Sequence, residues 1–177
     1  MTRRTAPWAP VALALFLTAA IATPAKAFYS EARMNGQDID RALHCLALNI
    51  YFEARSEPRM GMISVAHVVL NRARSPRFPD TVCAVVKDGG ETHRHRCQFS
   101  WYCDGKSDRP RDGAAWETAR SLARAVFWSA IPDPTGGATH YHAEYVDPPW
   151  AARLTRGPKI GQHIFYNDPR DGQVARR

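Results

Sequence analysis

The spacing of apolar residues predicts four helices in the first three quarters of the chain. Apolar side chains recur every three to four positions in each longer segment, which is the period of an amphipathic helix. The second segment is apolar around most of its circumference, so we expect it to be the buried central helix. Caps and proline or glycine stops bound these segments, with Asp38 and Asp112 as the expected N-caps. The predicted helices are 38–56, 60–74, 79–87 and 112–130.

The period changes to two in the last quarter of the chain. Residues 138–146 alternate in polarity, and 159–166 is a second candidate strand. The segment 89–110 is rich in Gly, His, Arg, Asp and Cys. It predicts a long functional loop with a small hairpin at 98–102. These elements together predict an α+β fold that is mostly helical, with a small antiparallel sheet.

One position interrupts the apolar stripe of the first predicted helix. The stripe runs Ile39, Leu43, Leu46 and Ile50, and the next position on that face is Glu53. A buried, unpaired carboxylate is costly, and its pKa rises until it can hold a proton near neutral pH. A general acid needs that state. The alternative is a core glutamate that pairs with Arg or Lys, or one that turns outward at the helix end.

A second carboxylate lies one helical turn beyond the first. Glu57 and Glu53 are four residues apart and could be neighbours on a helix. Two such carboxylates would suit a retaining glycosidase. The position of Glu57 beside Pro58 at the helix end favours instead a solvated residue or a partner for Arg59.

The histidines raise the alternative of a metal site. His140 and His142 share one face of the predicted strand and could bind zinc together with His93, His95 or Glu144. The sequence contains no HExxH or other tight zinc signature. We therefore expect these histidines to pack or to face a substrate, and we expect neither a metal nor another cofactor.

The N-terminal residues 1–27 have the pattern of a secretory signal peptide. Two arginines precede an uncharged apolar run at 11–22, and 25–27 is a small-x-small cleavage site. An uncleaved N-terminal anchor is the alternative. We expect residues 28–177 to be one exported domain without a membrane span, in the periplasm or cell envelope.

Charge and cysteine content fit an exported protein. The net charge of +7 falls to +4 without the three basic residues of 1–27. A mildly basic exported chain suits a polyanionic cell envelope, and export argues against nucleic acid as a partner. Four cysteines predict two disulfides. Cys97 and Cys103 flank a turn, which favours Cys97–Cys103 with Cys45–Cys83 over the other two pairings. A zinc site is disfavoured because no CxxC pair is present.

Several blocks of sequence, in order, resemble the spore-cortex-lytic (SleB-like) cell-wall hydrolases. The resemblance covers about 42–166. The blocks are YFEAR at 51–55, VVLNR at 68–72, FPDTVC at 78–83, CQFS at 97–100 with CDG at 103–105, GATHYH at 137–142 and IGQHIFY at 160–166.

This resemblance implies a lysozyme-like fold, related to resuscitation-promoting factors and lytic transglycosylases. It implies action on the glycan strands of peptidoglycan, with Glu53 as the catalytic acid. A single glutamate could serve as acid and then as base in a lytic transglycosylase. A hydrolytic muramidase of the same fold, a zinc-dependent wall amidase or peptidase, and a non-catalytic wall-binding module are the alternatives.

The matching blocks also supply candidates for the sugar-binding groove. These candidates are Gln98, Phe99, Ser100, Thr139, Tyr141 and His142. We expect Asn71 and Arg72 to brace the helix pair, with Arg72 as a possible counter-charge for Glu53. We expect no separate peptidoglycan-binding domain of the kind found in the spore enzymes, and the four cysteines are similar to those of Gram-negative members. We therefore expect a monomer that remodels the wall in the periplasm rather than a spore enzyme.

Overall fold

The computed structural model describes residues 35–90 and 97–171. The predicted signal peptide lies outside these residues. Four α-helices are followed by a small sheet, and two short 3-10 helices interrupt the loops. The elements are α1 (Gly36–Ala54), α2 (Arg59–Arg74), α3 (Val82–Lys87), a 3-10 helix (Ser100–Cys103), α4 (Gly113–Phe127), β1 (His140–Ala143), a second 3-10 helix (Ala151–Arg153), β2 (Thr155–Ile160) and β3 (His163–Asn167).

Side-chain caps determine where the helices begin. Asn35 caps α1, because its side chain accepts a hydrogen bond from the backbone N–H of Asp38 at 3.0 Å. The prediction of Asp38 as the cap was therefore wrong, and this residue instead places its charge near the positive end of the helix dipole. Thr81 caps α3, so that helix begins later than the sequence indicated. The predicted cap Asp112 is confirmed, since it accepts from the N–H of Ala115 at 3.0 Å.

Helix α2 forms the centre of the core, as its apolar circumference predicted. It packs against α1, α3, α4 and β2. Its largest apolar side chains are almost completely buried, and each contributes about 1.5–3 kcal/mol to folding. These side chains are Ile63, Val65, Val68, Val69 and Leu70.

The sheet has three antiparallel strands in the order β1-β3-β2. The central strand β3 buries Ile164, Phe165 and Tyr166. The single predicted strand 159–166 was wrong, because Gly161 has φ +61 and turns the chain between β2 and β3. Strand β1 is also shorter than the alternating segment 138–146. The prediction of a mostly helical α+β fold is confirmed.

The segment 98–102 does not form the predicted hairpin. It enters the 3-10 helix Ser100–Cys103, whose Trp101 is buried and donates its indole N–H to Asn49 at 3.3 Å. The structure contains the disulfides Cys45–Cys83 and Cys97–Cys103, which is the pairing favoured from the sequence. The first joins α1 to α3. Within 35–90 and 97–171, no helix is both long and apolar enough to cross a membrane.

Candidate active site

The last turn of α1 places Glu53 against the sheet. Its carboxyl is partly buried, and its Oε2 atom accepts a hydrogen bond from the hydroxyl of Tyr141 in β1 at 3.2 Å. Burial raises the pKa of Glu53, while the hydrogen bond from Tyr141 and the positive charge of Arg72 oppose part of that rise. A carboxyl group in this environment can hold a proton at a higher pH than a solvated one and can then release it.

A buried arginine lies behind this carboxyl group. Arg72 is 2% exposed, and its Nε donates to the carbonyl oxygen of Thr139 at 2.7 Å. The guanidinium lies over the rings of Phe78 and Phe99, at 5.4 and 5.5 Å from their centroids. Burial lowers the pKa of Arg72 to about 10, which leaves it charged at neutral pH. Arg72 therefore braces α2 against the sheet and supplies the counter-charge for Glu53.

Three of the predicted groove residues surround Arg72. With its amide oxygen turned toward Arg72, Gln98 accepts from Nη1 at 3.0 Å and from Nη2 at 3.2 Å. Phe99 is 2% exposed and belongs to the hydrophobic core, so its ring lies beneath the surface. Thr139 is also buried, and its hydroxyl contacts His140 and Asp171. Phe99 and Thr139 therefore support the site from beneath the surface, whereas Gln98 is exposed.

The other three predicted groove residues lie in different surroundings. Tyr141 contacts Glu53 directly. The ring of His142 stacks on Tyr166, and its Nε2 lies 2.9 Å from the Tyr166 hydroxyl. Ser100 is exposed at the start of the 3-10 helix. The structure therefore brings Tyr141 to Glu53 and joins His142 to the neighbouring strand.

The strand histidines pack around an aromatic ring. His140 and His142 each lie with their ring centroid 5.6 Å from that of Trp150. Burial and the charge of Arg72 lower the pKa of His140 to about 4. The described part of the chain contains no group of three or more His, Cys, Asp or Glu residues placed to bind a metal. His93 and His95 lie outside the described residues.

Glu57 is buried, and the prediction of a solvated residue or a partner for Arg59 was wrong. It is 8% exposed, and its Oε2 accepts from the backbone N–H of Gln162 at 2.9 Å. Its Oε1 lies 3.8 Å from Nδ1 of His163. The physical reason is that α1 ends at Ala54, so the chain beyond it turns toward the β2–β3 turn.

The sequence did not single out His163 as part of this region. Its ring packs edge-on against Tyr141 with centroids 5.0 Å apart. It thus lies between Glu57 and the tyrosine that contacts Glu53. The one local signal was Gly161 in the preceding turn, where an added β-carbon would collide with the carboxylate of Glu57.

Comparison with known proteins assigns a family to this architecture. Residues 56–166 match the family described as cell wall hydrolase. The chain is 36% identical over 130 residues to the spore cortex-lytic enzyme of Halalkalibacterium halodurans, covering 72% of this chain and 35% of that protein. It is 31% identical over 149 residues to the spore cortex-lytic enzyme of Bacillus subtilis, covering 81% and 44%. The chain thus spans less than half the length of these curated relatives.

Solved structures give the same result for the fold. The catalytic domain of the germination-specific lytic transglycosylase SleB from Bacillus anthracis superposes with a TM-score of 0.58 at 28% identity. That match covers 76% of this chain and 98% of that domain. The catalytic domain of the Bacillus cereus SleB protein gives a TM-score of 0.55 at 27% identity. The described fold is therefore similar to these catalytic domains over almost their full length.

Proposed function

Since the chain belongs to the cell wall hydrolase family, we propose that it is a lytic transglycosylase that cleaves the glycan strands of peptidoglycan. The bond cut is the one between N-acetylmuramic acid and N-acetylglucosamine, and Glu53 is the catalytic residue. The similarity to a SleB catalytic domain described as a lytic transglycosylase supports this reaction type. The curated relatives named spore cortex-lytic enzyme support the substrate class.

The observation that carries the proposal is the environment of the Glu53 carboxyl group. It lies at the end of α1, partly buried, with a raised pKa and with the Tyr141 hydroxyl at 3.2 Å. Burial favours the protonated form that a general acid requires. Tyr141 and Arg72 limit that preference, so the carboxylate is still accessible once the proton has been transferred. Both protonation states are needed when one group acts twice.

The proposed reaction uses Glu53 in two consecutive steps. Protonated Glu53 donates its proton to the glycosidic oxygen as the bond from that oxygen to C1 of the muramoyl residue breaks. The Glu53 carboxylate then accepts the proton of the C6 hydroxyl on the same muramoyl residue, and the C6 oxygen bonds to C1. The products are a strand with a free N-acetylglucosamine hydroxyl and a strand with a 1,6-anhydro ring. No water is consumed, and Glu53 ends protonated.

The position of Glu57 supports a mechanism with one carboxylate. A hydrolytic glycosidase of the usual type needs a second carboxylate near the scissile bond. Glu57 is the nearest such group in sequence, but it is buried and bound to the β2–β3 turn. A carboxylate that holds a backbone N–H inside the fold is poorly placed to activate a water molecule or attack a sugar.

The site of action follows from the substrate. We infer an exported protein, with residues 1–27 removed and 28–177 forming one catalytic domain in the periplasm or cell envelope. The apolar run and cleavage pattern of 1–27 support export. The two disulfides of the described chain support an oxidising compartment.

The decisive experiment is analysis of the products by mass spectrometry. Purified protein without residues 1–27 is incubated with sacculi, and the released muropeptides are compared with those from the Glu53→Gln variant. We expect 1,6-anhydro products from the wild type and a loss of at least about a thousandfold in the variant. Reducing ends without the anhydro ring would identify a hydrolytic muramidase. Release of free peptides would identify an amidase or peptidase, and binding without release would identify a wall-binding module.

A further inference from the structure

A cavity of about 880 Å³ lies beside the C-terminal end of α1. Tyr51, Phe52 and Trp101 line it with aromatic surface, and the rings of Phe52 and Trp101 stack with centroids 4.8 Å apart. Glu53 follows Phe52 directly, and consecutive helical side chains differ in direction by about 100°. By the same angle Tyr51 and Arg55 point away from Glu53, so the cavity and the Glu53 carboxyl share the C-terminal end of α1 but lie on different faces of the helix.

The loop 104–112 forms the other wall of this cavity. The Cys97–Cys103 disulfide precedes the loop, and Asp112 at its end caps α4. The hydroxyl of Tyr51 accepts hydrogen bonds from the backbone N–H groups of Arg111 and Asp112, at 3.1 and 3.0 Å. The loop is thus held at both ends and tied to α1. A wall fixed in this way presents a preformed site, which lowers the entropic cost of binding.

The charges that this wall leaves unpaired are mostly positive. Arg55, Arg109 and Arg111 are exposed on the cavity, and no carboxylate of the described residues lies within 4.0 Å of their guanidinium groups. Two carboxylates on the same wall already have partners within the protein. Asp104 pairs with Lys106 at 3.8 Å, and the carboxylate of Asp112 is the helix cap.

The one remaining carboxylate on the wall is that of Asp108. Burial and the neighbouring Asp104 raise the pKa of Asp108, which disfavours its charged form. The cavity therefore combines an aromatic floor with the guanidinium group of Arg55, which lies 5.0 Å from the centroid of the Tyr51 ring, and with those of Arg109 and Arg111, which have no carboxylate partner among the described residues. Guanidinium groups bind carboxylates through two parallel hydrogen bonds, so this surface suits a ligand with free carboxylates.

We propose that this cavity is a subsite for the peptide stem of peptidoglycan, which it binds through the free carboxylates of that peptide. The inference rests on the proposed function, because the stem is attached to the muramoyl sugar whose bond Glu53 would cut. Glu53 and the cavity share the C-terminal end of α1, so the peptide of a sugar held at Glu53 reaches the cavity by passing this end of the helix. Arg109 and Arg111 bind the carboxylates, and the Phe52–Trp101 stack packs against the aliphatic part of the peptide.

The test compares two substrates that differ only in the peptide. Glycan strands that carry stem peptides, and the same strands after the peptides are removed with an amidase, are offered to each protein. The measured quantity is the ratio of kcat/KM on the two substrates. We expect a ratio well above one for the wild type. In the Arg109→Gln/Arg111→Gln double variant it should fall about five- to tenfold, because exposed charge pairs are individually weak.

Matched variants separate the subsite from general charge effects. Arg41→Ala removes an exposed arginine from the opposite end of α1 and should keep the wild-type ratio. The single variant Arg109→Gln should give an intermediate ratio, and thermal unfolding of each variant verifies its fold. The same ratio for the wild type and the double variant would overturn the proposal. An equal drop with Arg41→Ala would also overturn it, since only bulk charge would then matter.

A binding experiment makes the result independent of catalysis. A free stem tetrapeptide is titrated into the ¹⁵N-labelled wild type and the double variant. Peptide-induced shifts of the Phe52 amide and the Trp101 indole signals, which both proteins retain, support the subsite if they vanish in the double variant. No shift with the tetrapeptide, or an equal response to an anionic phosphate polymer without peptide, contradicts it. Should the wild type cleave neither glycan substrate, the proposed function fails while this titration still decides the subsite.

Discussion

The hydroxyl of Tyr141 lies 3.2 Å from Oε2 of Glu53, although the two residues are 88 positions apart in the chain. One belongs to β1 and the other to the last turn of α1. The sheet therefore contributes a direct hydrogen bond to the carboxyl group that the helical core holds. The proton affinity of Glu53 depends on this contact as well as on burial.

Removing that hydroxyl is expected to shift the pH profile of the proposed activity. The Tyr141 bond lowers the pKa of Glu53, so Tyr141→Phe raises it further. Because the protonated form is the acid, the alkaline limb of kcat/KM should move to higher pH. The rate at neutral pH should fall by about ten- to a hundredfold, the effect of one hydrogen bond of ~1.5–3 kcal/mol to a charged group. Tyr145→Phe, at an 81% exposed residue, should change neither quantity. An alkaline limb at the wild-type pH would contradict this prediction.

Glu53→Gln is expected to stabilise the protein while abolishing its activity. The pKa of Glu53 is raised in the folded state, so the native protein binds this proton more tightly than the unfolded chain does. That contribution to stability is complete below the unfolded pKa, near 4.3, and is lost as pH rises through the folded pKa. The variant stays neutral and avoids this loss. Its Tm at pH 8 should be higher by about 2–4 °C per kcal/mol gained.

A comparison across pH is the control for that measurement. The gain in Tm should shrink at pH 4, where the wild-type carboxyl is also protonated. A variant that is less stable than the wild type at pH 8 would mean that the Glu53 carboxylate is favourably paired.

Glu57 is expected to matter for stability and not for chemistry. Glu57→Ala removes the charged acceptor of the Gln162 backbone N–H, and the loss of this hydrogen bond should cost about 1.5–3 kcal/mol. Glu57→Gln keeps an acceptor oxygen and should cost less, while both variants should still form anhydro products. Chemical denaturation and product analysis measure the two effects. Glu117→Ala, at an exposed ion pair with Arg120, is the matched control and should be close to neutral. Loss of activity in Glu57→Gln as complete as in Glu53→Gln would instead identify a second catalytic carboxylate.

Arg72 should influence both stability and the pKa of Glu53. Arg72→Met leaves the carbonyl of Thr139 without its donor, which should lower the unfolding free energy by about 1–3 kcal/mol. It also removes a charge that lowers the pKa of Glu53, so the alkaline limb should move up. Arg74→Met, two residues along the same helix, should leave the limb in place. A limb that stays at the wild-type pH in Arg72→Met would show that the charge does not act on Glu53.

The two disulfides should differ in how much they stabilise the fold. Cys45–Cys83 joins residues 38 positions apart, and Cys97–Cys103 joins residues 6 apart. Loop-closure entropy then predicts losses of about 4 kcal/mol for Cys45→Ala/Cys83→Ala and about 2 kcal/mol for Cys97→Ala/Cys103→Ala. Urea unfolding of both double variants measures this order. The opposite order would indicate that the loop beginning at Cys103 depends on its disulfide more than chain entropy predicts.

Local sequence patterns were sufficient to predict the elements whose structure depends on residues close together in the chain. Periodicity located all four helices and the change to strands, because burial on one face repeats with the helical or pleated period. The interrupted stripe identified Glu53. The predicted helix boundaries were less accurate where two nearby residues could each act as the N-cap, as Asn35 and Asp38 could. The segment 159–166 belongs to two strands rather than one, because Gly161 has a positive φ and turns the chain between them.

The sequence predicted the candidate sugar-binding groove only in part. Matching blocks identified Tyr141, but they did not distinguish a side chain at the surface from one beneath it. Phe99 and Thr139 belong to those blocks and are buried, and both contact the buried Arg72.

The sequence by itself determined the helical framework, the unusual carboxyl at Glu53 and the preferred cysteine pairing. Only the tertiary structure decided which groups surround that carboxyl. Tyr141 reaches Glu53 across 88 positions, and Gln162 reaches Glu57 across 105. Such partners are chosen by how the sheet packs on the helices, which no local period records. The same packing buried Glu57 and left a cavity lined by arginines at the C-terminal end of α1.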